Sequence, residues 1–100
     1  MIVKELTKPG PLLSLQETKH IKAGLVVLNP GEEVGKHKTA DREEVILVLE
    51  GEVILRCEGE AETIVGSNRL AYVSPNKEHN IINSGPSVAK YVYVVNLLNH

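Results

Sequence analysis

The chain has no tryptophan and no phenylalanine, and only three tyrosines in 100 residues. Its core must therefore be built mostly from valine, leucine and isoleucine. A single cysteine, Cys57, excludes an internal disulfide and fits a reducing compartment. No stretch approaches the roughly 20 apolar residues that a membrane-spanning helix needs. The start, MIVKELTKPGP, has no long apolar segment after a basic one, which predicts that no secretion signal is present. Together these absences predict a cytoplasmic protein with no membrane partner. Neither sign of charge dominates. Eleven Lys and Arg against 13 Asp and Glu leave a net charge of -2, interspersed along the chain, which predicts no nucleic-acid partner. A chain this short supplies one core, so residues 1–100 read as one domain.

What the sequence has in abundance is short β-branched runs: HIKAGLVVL, EEVILVL, EVILRC, ETIV, RLAYV, HNIIN and VAKYVYVVNLL. Turn signals separate them, among them NPGEE, EGE, CEGE, GSN, SPNKE and NSGPS. A strand and turn every roughly 8–12 residues is the rhythm of a sandwich or barrel. One helical turn is expected in LLSLQETKH. In VILVL, Ile46 and Val48 point one way while Val45, Leu47 and Leu49 point the other, which predicts cover on both faces by the interior and by a second sheet or subunit.

The ionisable residues fall at strand ends. His37 stands among lysines, with Thr39 two residues on and so on the same face of an extended strand. Glu44 opens the EVILVL run, and hairpin pairing is expected to set it opposite the His37 strand. Glu43 takes its place if the register slips by one. His79 opens a later strand after a proline-led turn. Two imidazoles and one carboxylate meeting at a barrel mouth form a donor set for a first-row divalent metal with positions left open. His20, His100 and Cys57 read as ordinary surface or packing residues, and Tyr72 alternates with Leu70.

These residues resemble the cupins, small jelly-roll barrels. The family's first motif is glycine, five residues, His-x-His, three or four residues, Glu, six residues, glycine. The chain has Gly31, His37, Thr39, Glu44 and Gly51 at those spacings, with threonine in place of the second histidine. The second motif, at about residues 69–83, is matched by Pro75, His79 and Asn83. Arg69 stands where its opening glycine is usual, and the nearby GSN turn, with Gly66 and Asn68, takes over that role. The resemblance implies an all-β jelly-roll barrel of two antiparallel sheets. It also implies a divalent transition metal (Fe, Mn, Ni, Co or Zn) on His37, Glu44 and His79, with Thr39 and Tyr72 approaching a small-molecule substrate. The activities it implies are dioxygenase-, isomerase- or lyase-like. The alternatives are a non-catalytic small-molecule sensor and a metal-free barrel. The C-terminal run YVYVVNLL, apolar on both faces, predicts a homodimer, as is common for single-domain members of the family.

Overall fold

Runs of valine, isoleucine and leucine between glycine- and proline-bearing turns all become strands in the computed structural model, which describes residues 1–38 and 40–99. In chain order they are β1 (Gly10–Leu13), β2 (Ile21–Leu28), β3 (His37–Lys38), β4 (Arg42–Glu50) and β5 (Glu52–Cys57), followed by β6 (Thr63–Gly66), β7 (Arg69–Val73), β8 (Glu78–Ile82) and β9 (Ala89–Leu97). No α-helix occurs among the described residues. The strands form two antiparallel sheets, one in the order β1-β2-β9-β4-β7 and the other β3-β8-β5-β6. This is the expected jelly roll.

Side chains opposite one another in a ladder share a face, so the register sorts the larger sheet into inner and outer rows. Gly24, Tyr93, Ile46 and Ala71 form one inner row across β2, β9, β4 and β7. The core lies between the sheets, with Ile46, Val48 and Tyr91 from one and Val53, Leu55, Val65 and Ile81 from the other. Tyr93 reaches across Gly24, where any Cβ would collide with its ring. A glycine inside a strand ordinarily weakens it; here it makes room for the aromatic side chain.

Leu25, Val92, Leu47 and Leu70 form an outer row. Leu25 is buried, but Leu47 is 38% and Leu70 62% exposed. Among the described residues the expected cover on the outer face of VILVL is therefore only partial: Val45 and Leu49 are half-buried, and Leu47 is left exposed toward β7. β9 is a central strand, paired with β2 on one side and β4 on the other. Its backbone is already used, so any assembly through it must be face to face.

Gly51 turns β4 into β5 at φ +68°, and a Cβ there would strike the Val88 carbonyl. In the GSN turn it is Asn68 that takes the left-handed conformation, at φ 64°. The helical turn expected near residue 15 forms, with the amides of Glu17 and Thr18 both donating to the Ser14 carbonyl. β1 has no counterpart among the expected strands. Its GPLL sequence reads as a break, yet Pro11 is tolerated on the edge of a sheet.

Candidate metal centre

Three strands from two sheets bring the candidate ligands together. His37 and His79 are directly paired across β3 and β8, with ring centroids 4.1 Å apart. Glu44 comes from the opposite sheet, in the inner row with Val95 and Val73. The hairpin expected between the His37 and Glu44 strands is not formed. Those strands lie in different sheets, and the histidine and glutamate face one another across the interior. One potential ligand atom from each of His37, Glu44 and His79 lies within 4.8 Å of the others.

Alternation along β4 separates the two adjacent glutamates. Glu44 is buried, while Glu43 points outward. There Glu43 accepts hydrogen bonds from Asn96 Nδ2 (3.0 Å) and the Tyr72 hydroxyl (2.8 Å), which hold its carboxyl below the usual range. Tyr72, paired with Val45, is therefore on the outer face and 55% exposed, and the structure does not bring it to the cavity. Thr39 lies outside the described residues, as does His100.

The histidines are oriented alike. His37 Nδ1 lies 3.0 Å from the Gly35 carbonyl and His79 Nδ1 lies 3.3 Å from the Lys77 carbonyl. A carbonyl only accepts, so each Nδ1 carries the proton and each Nε2 is left for the site. Metal-ligating histidines are held in this way. His79 Nε2 meets Glu44 Oε2 at 2.9 Å, with both side chains buried. Two donors on one ion, each about 2.1 Å from it and at right angles, stand about 3 Å apart. The residues therefore fit a divalent ion of the borderline class, which accepts both imidazole and carboxylate.

Gly35, which supports His37, is itself held by Asn80. The buried Asn80 side chain accepts the Gly35 amide proton at 2.8 Å. Asn80, Arg42, Tyr91 and Tyr93 were not expected at the site from sequence. Arg42, Tyr91, Tyr93, Val26, Val34, Ile81 and Val95 join His37 and Glu44 around a cavity of about 400 Å³. Burial, with help from nearby Glu44 and Tyr93, pushes the Tyr91 hydroxyl well above its ordinary range, so it stays a proton donor. A signal for the two tyrosines existed in the alternation Tyr91, Tyr93, Val95. It was masked because the intervening valines are equally apolar.

Burial draws the His79 pKa down most strongly. The Glu44 hydrogen bond, the Lys77 carbonyl and the Glu44 charge together outweigh it, and the net shift is upward. In metal-free protein this pair therefore stabilises the fold fully below about pH 6.5, the ordinary histidine value. That contribution is lost as pH rises through the raised value. Thermal melts of metal-free protein should show it: wild type loses more stability than His79→Gln between pH 6 and 8.5. Equal losses would count against the charged pair.

A two-sheet jelly roll with imidazoles and a carboxylate converging inside defines a small barrel with a candidate metal centre. The cupin-domain family profile matches residues 24–95, and the chain belongs to the cupins. Similar solved structures include a predicted oxalate decarboxylase from Thermotoga maritima (TM-score 0.84, 22% identity, covering 97% of this chain and 100% of that one). TT1209 from Thermus thermophilus is also similar (0.83, 23%, 97% and 98%). So is the Cnp3 cupin domain of Schizosaccharomyces pombe (0.80, 15%, 97% and 69%). These likenesses establish the fold. No curated protein matches the sequence.

Proposed function

We propose that this cupin holds one divalent transition metal (Fe, Mn, Ni, Co or Zn) on His37, Glu44 and His79, and binds a small polar molecule beside it. The observation that carries the reading is the shared Nδ1-to-carbonyl anchoring of both histidines, which leaves both Nε2 atoms for an ion, together with the convergence of His37, Glu44 and His79 to within 4.8 Å. Such an ion, when bound, supplies Lewis-acid and redox chemistry at open positions. The protein supplies the rest. Val26, Ile81 and Val95 limit water in the cavity, and the protonated Tyr91 hydroxyl is available to a ligand oxygen. Turnover, where it follows binding, belongs to the dioxygenase, isomerase or lyase type, and the name of the Thermotoga neighbour supports an enzymatic reading.

The test is a calorimetric titration of Mn²⁺ or Co²⁺ into metal-stripped protein at pH 7.5 and 5.5. One site per chain is expected at the higher pH. Affinity should be at least about tenfold weaker at the lower pH, because both imidazoles must lose protons to bind. A second reading, a metal-free binding or sensor barrel, draws on the His79–Glu44 hydrogen bond, which satisfies both buried groups without an ion. It gains ground if folded protein binds no metal at either pH.

The chain is proposed to act as a homodimer, and the free thiol of Cys57 suits the cytoplasm. The exposed row of Leu47 and Leu70, beside Tyr72, offers the face for pairing. Light scattering should give a mass twice 11.0 kDa for wild type and that of one chain for the double variant Leu47→Glu, Leu70→Glu. A wild-type monomer at micromolar concentration contradicts the dimer.

A further inference from the structure

Arg42 starts β4 two residues before Glu44, and residues two apart in a strand share a face. It lines the same cavity as Glu44 and His37, and is half-buried there. Every other arginine in the chain lies elsewhere; Arg56, for example, is paired with Glu62. The Arg42 guanidinium has no hydrogen-bond or ion-pair partner among the described residues. A guanidinium is a fixed positive charge with a planar fork of donors, matched to a carboxylate. At the edge of a cavity with apolar walls, it lacks the anion that this fork fits.

The neighbouring strand of the same sheet, β9, adds neutral donors. Tyr91 and Tyr93 line the cavity, and neither hydroxyl has a hydrogen-bond partner among the described residues. Lys38 adds a second cation at the rim. The single carboxylate in the wall, Glu44, is already engaged by His79. Unused donors and positive charge on an otherwise apolar surface select an anion with an organic body. Arg42 and Glu44 are separated by two strand rises, about 7 Å. One small molecule spans that gap only if its anionic end and a second oxygen lie a few bonds apart.

We propose that the cavity takes a small organic acid, with its carboxylate held by Arg42 and a second oxygen donor turned toward the His37, Glu44 and His79 centre. The second half rests on the metal reading; the Arg42 half does not. Arg42 thus sets specificity for charge and leaves the histidines and Glu44 to hold the ion.

The experiment uses full-length protein, both metal-stripped and loaded with Co²⁺, at low ionic strength. Glycolate, pyruvate, malonate and salicylate are titrated beside pyruvamide, malonamide and salicylamide. At least one acid is expected to bind wild type about 10–100-fold more tightly than its amide. Arg42→Gln should remove that preference while leaving Co²⁺ affinity and melting temperature unchanged, and Arg42→Lys should restore part of it. If Co²⁺ fails to bind but an acid still binds through Arg42, the anion site stands and the metal reading falls. If no acid binds wild type at millimolar concentration, or acids bind Arg42→Gln as well as wild type, the proposal is overturned. Loss of Co²⁺ binding in Arg42→Gln also overturns it, since Arg42 would then be supporting the metal centre instead of the ligand.

Discussion

Replacing His79 with alanine should abolish metal binding and destabilise the fold together, whereas His37→Ala should abolish metal binding alone. The difference lies in burial. His79 is 2% exposed and hydrogen-bonded to Glu44, while His37 lies at the exposed edge of the smaller sheet. Loss of the His79 ring strands a buried carboxylate, a change that costs about 3–5 kcal/mol when the partner of a buried pair is removed. Loss of the His37 ring frees only the Gly35 carbonyl, at an exposed position where water replaces the imidazole, and should stay within about 0.5 kcal/mol. Changes outside the ligand shell already weaken metal sites by about 10–100-fold, so losing a direct ligand should exceed that range in both variants. Urea unfolding of metal-stripped proteins reads the first effect, and Co²⁺ titration reads the second. Normal Co²⁺ affinity in His37→Ala would remove that residue from the site.

Asn83→Ala should be the most damaging single change away from the metal centre. The side chain is 1% exposed and fully used. Its Nδ2 donates to the carbonyls of Leu28 and Ser87 at 2.9 Å each, and its Oδ1 accepts from the Gly85 amide at 3.0 Å. Its backbone adds two bonds to the segment leading into the site, from the Gly31 amide and to the Glu32 carbonyl. Truncation leaves three backbone groups without partners, at about 1–3 kcal/mol for each one that water cannot reach. A loss of about 3–5 kcal/mol is expected, a large share of the roughly 5–15 kcal/mol that holds a domain together. Asn83→Asp should be no better, because a carboxylate cannot donate to two carbonyls. The check is the urea midpoint at constant slope. A loss below about 1 kcal/mol would mean that water replaces the amide.

Much of this was legible in the chain, for reasons that are local. RLAYV becomes β7 with the expected bounds, and the alternation along β4 puts Glu44 with Ile46 and Val48. The motif spacings pick out the three residues that converge. What sequence could not supply was which strand neighbours which. The pairing of His37 with His79 and the passage of the chain from β3 to β4 across two sheets are long-range facts, so a local hairpin looked the natural partner for Glu44. Tyr72 failed for the same reason: alternation fixes that it shares a face with Leu70, and only the pairing with β4 decides that this face is the outer one. The N-terminal strand was hidden by Pro11 within it and Pro9 just before it. Arg42 stood two residues from Glu44 in plain sight, but its value as a lone cation shows only once the cavity is in view.

The measurement closest to the central claim is elemental analysis of protein purified without an affinity tag, since a tag of histidines brings its own metal. About one first-row transition metal ion per chain is predicted for wild type, with little in His37→Ala and little in His79→Ala. Folded wild-type protein that carries no metal, and takes up no Co²⁺ or Mn²⁺ at pH 7.5, would contradict the claim.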